Sequence, residues 1–405
     1  MKQFEIPEFY RSPIIAKVKA QRKLHDPRKK DFTPSIIDFG QVKFILARHF
    51  GFCYGVENAI EISYRAIQEN PDKRIFLLSQ MIHNPEVNED LLSHALKFIQ
   101  DTKGNQIIDW SELTAEDIVI IPAFGTTLEI ASKLEDIGVN VERYNTTCPF
   151  VEKVWNRSEK LGADGHTIII HGKYNHEETR ATFSHSDKNA PSLIIKDLSE
   201  AIFLGEYIYG NVPKEQFLSF FEGKLSEGFD PEKDLQKIGV VNQTTMLASD
   251  TLEITNYLRT VMIERYGEAA IRNHIADTRD TLCYATNDNQ SATYGLMEIE
   301  ADFAVVIGGH NSSNTTHLVE LLEQKFPTYF IRSDKDISDD GKLNSFDIHS
   351  HTISTADPFE GKNSPIRIIV TSGASCPDAV VDRVLRKILD HFKIELNIEE
   401  AISSL

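Results

Sequence analysis

The sequence predicts an α/β protein with mainly parallel sheets. From Lys43 onward, short apolar runs alternate with amphipathic stretches of helical period, which is typical of parallel strands joined by crossover helices. The runs are too many for one sheet of ordinary width, and 405 residues usually form two or three domains. We therefore expect several small α/β units rather than one wide sheet.

The predicted elements follow one another along the chain from residue 44. The predicted strands are Phe44–Ala47, Arg74–Ser79, Ile118–Pro122, Thr167–His171, Leu193–Lys196, Ile238–Val241, Phe303–Ile307, Tyr329–Ile331 and Arg367–Thr371. The predicted helices are Val56–Ile67, Val87–Leu96, Leu128–Ile137, Val151–Leu161, Leu252–Met262 and Leu318–Lys325. Two polar segments, Leu204–Gln236 and Ser333–Pro365, interrupt the pattern, and we interpret them as surface insertions.

Composition and charge exclude several classes of protein. A net charge of −18 argues against binding to nucleic acid, although a small phosphorylated ligand needs only local donors. No stretch approaches the roughly 20 apolar residues that cross a bilayer, so we expect no membrane span. The N-terminus has neither an apolar signal region nor a transit-like composition, which favours the bacterial cytosol.

Residues 1–40 form an N-terminal extension that is basic in an otherwise acidic chain. Eight Lys or Arg lie between Arg11 and Lys30, with Pro13, Pro27 and Pro34 nearby. Such a segment is either a structural arm packed on the surface or a docking patch for an acidic partner. The sequence leaves both interpretations open.

Three of the four cysteines share one setting. Cys53, Cys148 and Cys283 each lie where a strand is predicted to end and a helix to begin. At Cys148, Thr146 or Thr147 can cap the following helix, and Pro149 suits its first turn. Three corners with one thiol each are a faint sign of a long internal repeat.

The chemistry of these thiols has four interpretations. They are buried small hydrophobic residues, a zinc site, a nucleophile with two bystanders, or ligands of an iron–sulfur cluster. No Cys-x-x-Cys pair supports zinc, and a nucleophile would use one thiol. Iron–sulfur clusters are held by thiolates that can come from distant segments.

Polar residues cluster after the predicted strands, where open α/β sheets bind their ligands. Six such loops carry hydroxyls, amides or imidazoles, at residues 80–85, 123–127, 172–179, 242–245, 308–315 and 372–377. Capping explains any one loop, but together these donors suit an anionic ligand. No dinucleotide fingerprint or Walker loop occurs. His176 and Glu178, in one loop, are a plausible proton-transfer pair.

The chain resembles the LytB family of 4-hydroxy-3-methylbut-2-enyl diphosphate reductases from about Phe44 to Ile388. Six motifs occur in family order: Gly-Phe-Cys-Tyr-Gly-Val, Thr-Thr-Cys-Pro, His-Gly-Lys-Tyr-Asn-His-Glu-Glu-Thr, Asn-Gln-Thr-Thr-Met-Leu, Asn-Ser-Ser-Asn-Thr and Ser-Gly-Ala-Ser. The extension, the insertions and His-Gly-Lys-Tyr are similar to the longer branch of cyanobacteria and plant plastids.

The resemblance implies a fold and a set of site residues. It implies a trefoil of three similar α/β domains around an iron–sulfur cluster, with residues 54–147 in the first, 148–282 in the second and 283–395 with 41–53 in the third. Cys53, Cys148 and Cys283 would ligate a [4Fe–4S] cluster with one iron not ligated by cysteine. Glu178 would donate a proton with the help of His176 and Thr244. The residues implied to hold the substrate are His83, His176, Thr244, Ser312, Ser313, Asn314 and Ser375.

The resemblance also implies an activity and partners. The activity is a two-electron reductive dehydroxylation of an allylic diphosphate, the last step of the methylerythritol phosphate route to isoprenoids, with a ferredoxin or flavodoxin type electron donor. An iron–sulfur hydro-lyase and a non-catalytic cluster-binding sensor are the alternatives. Phe124 replaces a second diphosphate histidine of shorter family members, with Thr126 and Thr127 as candidate substitutes. Cys376 is interpreted as a bystander.

Overall fold

The computed structural model describes residues 4–28, 30–276 and 281–395. In these residues no helix has the length and apolar character needed to cross a membrane. The chain divides into two compact units. Unit 1 falls within Met1–Glu61, Ile82–Asp90 and Tyr284–Leu405, and unit 2 within Ile62–Met81 and Leu91–Cys283.

The described residues form strands in both units. They are β1 (Ser35–Asp38), β2 (Val42–Leu46), β3 (Ile75–Leu77), β4 (Lys97–Phe98), β5 (Ile118–Ile120), β6 (Thr167–His171), β7 (Ser192–Ile195), β8 (Ile238–Asn242), β9 (Phe303–Ile307), β10 (Thr328–Ile331), β11 (Leu343–Phe346), β12 (Ile353–Ala356) and β13 (Ile366–Ser372).

The helices connect and cover these strands. They are α1 (Pro13–His25), α2 (Tyr54–Glu69), α3 (Pro85–Ser93), α4 (Leu128–Ile137), α5 (Pro149–Ala163), α6 (Glu177–Asp187), α7 (Leu198–Tyr209), α8 (Lys214–Phe220), α9 (Pro231–Asp234), α10 (Ala248–Tyr266), α11 (Tyr284–Met297), α12 (Ser313–Leu322) and α13 (Asp378–His391).

Unit 1 contains a five-stranded sheet in the order β1-β2-β13-β9-β10. All neighbours are parallel except β1, which pairs antiparallel with β2. Every side chain of β9 is buried, as expected of a parallel strand covered by helices on both faces. Each fully buried Ile or Phe of this core contributes about 1.5–3 kcal/mol through apolar area removed from water.

Unit 2 contains two three-stranded parallel sheets, in the orders β4-β3-β5 and β7-β6-β8. Separate apolar clusters pack on them, one around Val119 and Leu134 and others around Ile169 and Ile170. The predicted α/β class with mainly parallel sheets is therefore confirmed. The division into three domains at residues 54, 148 and 283, and their arrangement as a trefoil, stay predictions.

In each parallel sheet two neighbouring strands end side by side. Leu77 of β3 is opposite Ile120 of β5, His171 of β6 is opposite Asn242 of β8, and Ile307 of β9 is opposite Ser372 of β13. The loops that follow such strands leave the same edge of the sheet. This pairing positions the polar loops predicted from the sequence.

The extension is part of the core of unit 1. Helix α1 buries Ile14, Ile15 and Val18, and its Ser12 cap donates a hydrogen bond to Asp382 of α13. Strand β1 then extends the sheet. The structural interpretation therefore agrees with the described part of residues 1–40. The docking interpretation concerns the exposed Lys and Arg side chains of this segment and stays a prediction.

The two segments predicted as surface insertions contain ordered elements. Leu204–Gln236 includes the end of α7 together with α8 and α9, and it buries Phe217 and Phe221 completely. Ser333–Pro365 carries the antiparallel hairpin of β11 and β12. Phe217 and Phe221, four residues apart, lie on the apolar face of the first of these segments. This face was missed in the sequence because the segment as a whole is polar.

Candidate active site

The three predicted cysteines all lie at helix N-termini. Cys53 precedes α2, Cys148 is the N-cap of α5, and Cys283 precedes α11. All three are partly buried, whereas Cys376 is fully buried in the core of unit 1, where burial raises its thiol pKa. No disulfide links cysteines in the part of the chain that the structure describes.

Two local predictions at Cys148 are wrong. The run before it is not a strand, because the Asn140 side chain accepts hydrogen bonds from the backbone of Glu142 and Arg143 and turns the chain. The threonines do not cap α5 either: Thr147 donates its hydroxyl to Asn145 and Thr146 donates to Ile121. Pro149 occupies the first turn as predicted.

Each cysteine is attached in the same way to a loop that follows a strand. The backbone N–H of Cys53 donates to the carbonyl of Ala374 at 3.2 Å. Cys148 donates to Ala123 at 3.0 Å, and Cys283 donates to Thr244 at 3.4 Å. The three acceptors follow β13, β5 and β8, so the three cysteines share one kind of backbone attachment, while an internal repeat stays a prediction.

The acceptor residues also use their own N–H groups. Ala374 donates to the Asn314 side chain at 2.9 Å, and Thr244 donates to Glu178 at 2.5 Å. Ala123 donates to the Met81 carbonyl at 3.3 Å. Cys53 is therefore linked through Ala374 to the predicted site residue Asn314. Cys283 is linked through Thr244 to the predicted site residue Glu178.

Glu178 is the buried acid of unit 2. Its side chain lies in the first turn of α6, is 1% exposed, and accepts the Thr244 N–H. Burial raises the pKa of Glu178 to about 7, against the opposing hydrogen bonds from the Thr244 backbone and side chain. A carboxyl group with this pKa holds a proton in about half of the molecules at neutral pH, which suits a proton donor.

His176 caps α6 beside this acid. Its Nδ1 accepts the Glu178 N–H at 3.2 Å, so the neutral ring carries its proton on Nε2. The edge of the Phe124 ring packs against the imidazole, with 5.5 Å between ring centroids and 86° between planes. Phe124 therefore packs against His176.

The two candidate substitutes at this loop differ. Thr127 caps α4 by accepting the Ile130 N–H, so its oxygen has a structural partner. The Thr126 hydroxyl is buried and has no partner among the described residues. Thr126 is accordingly the better candidate for a ligand contact near Phe124.

The two loops of unit 1 that carry predicted hydrogen-bond donors lie side by side after β9 and β13. Ser312 caps α12 and accepts hydrogen bonds from both the N–H and the hydroxyl of Thr315. A hydroxyl that accepts two bonds still has its own proton to donate, which suits a ligand oxygen. Ser313 is buried beside it. Ser375 instead donates to the His83 carbonyl at 3.2 Å and so positions that segment.

Asn314 is the best-defined donor of this set. Its Oδ1 accepts from the Asn289 side chain at 3.3 Å and from the Ala374 N–H. These bonds fix the orientation of the amide, and its Nδ2 is buried without a partner among the described residues. An unsatisfied buried N–H₂ costs about 1–3 kcal/mol, which an anionic ligand would offset.

Glycines allow the loops to approach one another. A side chain at Gly309 would overlap the His83 carbonyl, and one at Gly373 would overlap Thr315. Both loops therefore need a residue without Cβ at these places. His83, Asn314 and Ser375 are brought together in this way within unit 1.

Unit 2 brings together Cys148, Cys283, His176, Glu178 and Thr244. Burial raises the pKa of the Cys148 thiol to about 12, and the nearby Cys283 and Glu178 add to this effect. Such a thiol becomes a thiolate ligand when a strongly positive centre replaces its proton. Among the described residues no three His, Cys, Asp or Glu side chains lie close enough to bind one metal ion. Thiols as the soft donors fit an iron–sulfur cluster better than a single hard cation.

Several residues that support the site had no role assigned to them from the sequence. Asn289 holds the Asn314 amide, and Asn242 holds Thr281. Gln243, fully buried, accepts from the Lys173 N–H and the Thr179 hydroxyl and so joins the loops after β6 and β8. Asn242 and Gln243 lie in the Asn-Gln-Thr-Thr-Met-Leu motif. Asn289 and Thr281 are ordinary polar residues whose hydrogen-bond partners are distant in sequence.

The fold and the site define an α/β protein with three thiols at helix N-termini, a buried carboxylic acid and a set of hydrogen-bond donors that suit an anionic ligand. The LytB protein family matches residues 44–389, and the chain therefore belongs to the LytB family, which is iron–sulfur dependent.

Named relatives agree with this assignment. A 4-hydroxy-3-methylbut-2-enyl diphosphate reductase of Crocosphaera subtropica is 42% identical over 354 residues, which are 87% of this chain and 85% of the relative. A chloroplastic reductase of the same name from Botryococcus braunii is 38% identical over 86% of this chain and 70% of its own. The solved E-1-hydroxy-2-methyl-but-2-enyl-4-diphosphate reductase from Plasmodium falciparum has the same fold, with a TM-score of 0.62 at 18% identity over 86% of this chain and 88% of that one.

Proposed function

We propose that the chain is an iron–sulfur reductase that converts (E)-4-hydroxy-3-methylbut-2-enyl diphosphate into isopentenyl diphosphate and dimethylallyl diphosphate. This is the last step of the methylerythritol phosphate route to isoprenoids. The observation that carries the proposal is the buried Glu178, whose pKa is raised to about 7 and which Thr244 holds beside the cysteine-bearing loop. Relatives with the reductase name cover most of the chain.

The proposed cofactor is a [4Fe–4S] cluster held by Cys53, Cys148 and Cys283, with one iron not ligated by cysteine. When bound, the cluster supplies electrons and a Lewis-acidic iron. The position of each thiol before the first turn of a helix supports this assignment, because helix N-termini favour anionic ligands. The repeated backbone attachment of the three cysteines supports it as well.

The proposed diphosphate contacts are polar residues of loops and helix starts. They are the residues that the family resemblance implies: His83, His176, Ser312, Ser313, Asn314 and Ser375. Two observations favour these contacts. The Asn314 Nδ2 is buried without a partner among the described residues, and the Ser312 hydroxyl accepts two hydrogen bonds and keeps its own proton to donate. Charge-assisted hydrogen bonds from such donors are among the stronger ones in proteins.

Glu178 would donate the proton that accompanies loss of the substrate hydroxyl. The carbon–oxygen bond breaks, two electrons and two protons are consumed, and water leaves. Thr244, hydrogen-bonded to Glu178 through backbone and side chain, would orient the carboxyl group and help to pass the proton on. The nearly complete burial of Glu178 keeps bulk water away from this proton.

The proposed electron donor is an acidic protein of the ferredoxin or flavodoxin type, in the bacterial cytosol. A cavity of about 330 Å³ in unit 1 is lined by Cys53 together with Lys19, Lys23 and Arg48. Lys19 and Lys23 belong to the basic helix α1. An acidic donor docked on α1 would therefore lie near a proposed cluster ligand.

The test is an anaerobic assay of the chain reconstituted with iron and sulfide. We expect isopentenyl and dimethylallyl diphosphate only when a reductant is present. Product formed without a reductant would identify a hydro-lyase, and a loaded cluster without any product would identify a sensor. In parallel, Cys148→Ser should lose iron relative to wild type, and a full iron complement in that variant would contradict the ligand assignment.

A further inference from the structure

The attachment of Cys283 is weaker than that of the other two cysteines. Its backbone hydrogen bond to Thr244 is 3.4 Å long, against 3.0 Å at Cys148 and 3.2 Å at Cys53. N–H···O hydrogen bonds are usually 2.7–3.2 Å, and longer ones stabilise less. A contact on the segment just before Cys283 would add to the hold on this thiol.

Asn242 and Thr281 supply that contact. Asn242 is the last residue of β8 and is 1% exposed. Its Oδ1 accepts from the N–H of Thr281 at 2.9 Å and from the Thr281 hydroxyl at 2.6 Å. In return, the backbone N–H of Asn242 donates to the Thr281 hydroxyl oxygen at 2.9 Å. The Asn242 Nδ2 donates to the Gln243 carbonyl, which fixes the amide orientation.

We propose that Asn242 and Thr281 are a positioning pair that holds Cys283 in place as a cluster ligand. Thr281 lies two residues before Cys283, so its reciprocal bonds with a rigid strand end restrict the thiol to a small region. This inference rests on the proposed function, because it assumes that Cys283 ligates the cluster.

The pair acts on the proton donor through the same loop. Thr244, two residues after Asn242, accepts the Cys283 N–H with its carbonyl and donates its own N–H to Glu178. Residues 242–244 thus hold the thiol on one side and the acid on the other. Loosening the pair should lower kcat more than it raises KM, since neither residue belongs to the proposed diphosphate contacts.

The test compares single substitutions at Thr281, at Asn242 and at a control threonine in the full chain after anaerobic reconstitution, with Cys283→Ser as the variant that lacks the proposed ligand. Thr281→Val removes the hydroxyl and keeps the shape, while Thr281→Ser keeps the hydroxyl. Thr255→Val is the matched control: Thr255 is a similarly half-buried threonine of unit 2 whose hydroxyl bonds only to the Thr251 carbonyl within α10. The readout is the rate at which a chelator removes iron, together with the electron paramagnetic resonance spectrum of the reduced cluster.

Thr281→Val should lose iron about tenfold faster than wild type, as expected for the loss of a buried hydrogen-bonded pair. Thr281→Ser and Thr255→Val should match wild type. Asn242→Ala should resemble Thr281→Val, and it replaces that variant if Thr281→Val does not fold. The double variant should show less than the sum of the two separate effects, because the bond from the Thr281 hydroxyl to Asn242 Oδ1 is lost in both single variants.

The outcomes separate this inference from the proposed function. If Thr281→Val and Asn242→Ala lose iron no faster than Thr255→Val, while Cys283→Ser loses it at once, the positioning pair is overturned and the cluster assignment stands. If wild type binds no cluster, the proposed function fails and the pair has no ligand to position. Additive effects in the double variant would also contradict a reciprocal pair.

Discussion

Units 1 and 2 place different chemistry at the same kind of sheet edge. In each, two neighbouring parallel strands end together and their loops lie side by side. The loops of unit 1, residues 308–315 and 373–376, contain no Asp or Glu and present hydroxyls and amides. The loops of unit 2 contain Glu178, buried and with a raised pKa.

Under the proposed function, this difference would separate ligand binding from proton transfer within one architecture. An acid among the unit 1 donors would repel a diphosphate, whereas Asn314 and Ser312 offer protons without charge. Glu178 needs burial to keep its proton near neutral pH, and α6 provides that burial. We therefore expect substitution of the unit 2 acid Glu178 to act on kcat, and substitutions of the unit 1 donors Asn314 and Ser312 to act on KM.

The largest effect is expected at Glu178. Glu178→Gln keeps the shape and the acceptor for the Thr244 N–H but has no acidic proton, so kcat should fall about 10²–10⁴-fold. KM and the absorbance of the cluster should stay at wild-type values. The measurement is steady-state kinetics with iron analysis of the same samples; unchanged turnover would remove Glu178 from the proton-transfer role.

The pH profile provides the matching control for Glu178. Because the protonated form is the donor and its pKa is about 7, the rate should decline as the pH rises above 7. The hydrogen bond from the Thr244 side chain lowers this pKa. Thr244→Val should therefore move the alkaline limb to higher pH, and a limb that moved to lower pH would contradict the assignment.

The sequence predicts the fold well where burial determines the pattern. Nine predicted strands occur, since runs such as Phe303–Ile307 are buried on both faces, whereas the run predicted to form a strand before Cys148 does not. It misses β1, β4, β11 and β12, which are short, antiparallel or polar. It also misses α1, because three buried side chains among many cations give a weak helical pattern.

The site was predicted by residue type but not by contact. Strand-end loops and the family motifs identified Glu178, His176 and Asn314, since such residues lie where ligands bind. The Asn289–Asn314 and Asn242–Thr281 bonds join residues far apart in sequence, and periodicity carries no information on such pairs. The predicted caps Thr146 and Thr147 failed, because their hydroxyls bond to Ile121 and Asn145 and accept no N–H group of α5.

The next largest effect is expected at Asn314. Asn314→Ala removes the buried Nδ2 donor, so KM for the diphosphate should rise about 10–100-fold, as expected for a hydrogen bond to a charged group. Asn314→Asp should be worse, because a carboxylate would face the anion. Measured kcat should remain within a few-fold of wild type; a fall in kcat alone would break the division between the units.

Asn289→Ala is a graded companion to this prediction. It removes one of the two donors to Asn314 Oδ1 and leaves the Ala374 N–H in place. The amide is then less strictly oriented, and KM should rise only about three- to tenfold, the effect of one ordinary hydrogen bond. A larger effect than that of Asn314→Ala would show that Asn289 has a separate role.

The smallest effect is expected at the basic helix α1. Deleting residues 1–30 is uninformative, because Ile15 and Val18 of α1 are part of the core of unit 1. Lys23→Glu is the sharper test, since Lys23 is exposed and lines the cavity that contains Cys53. An acidic electron donor should then show a KM that is about two- to fivefold higher at low salt, as is usual for an exposed charge.

The ionic-strength dependence and a control lysine show whether α1 docks the electron donor or is only a structural element. The difference between Lys23→Glu and wild type should shrink as ionic strength rises, because exposed charges are screened within about 8 Å at 0.15 M salt. Lys362→Glu, at another exposed lysine of unit 1, should leave the donor KM unchanged. With a small chemical reductant both variants should match wild type. Equal effects of the two lysines, or an effect that persists at high salt, would make α1 a purely structural element of unit 1.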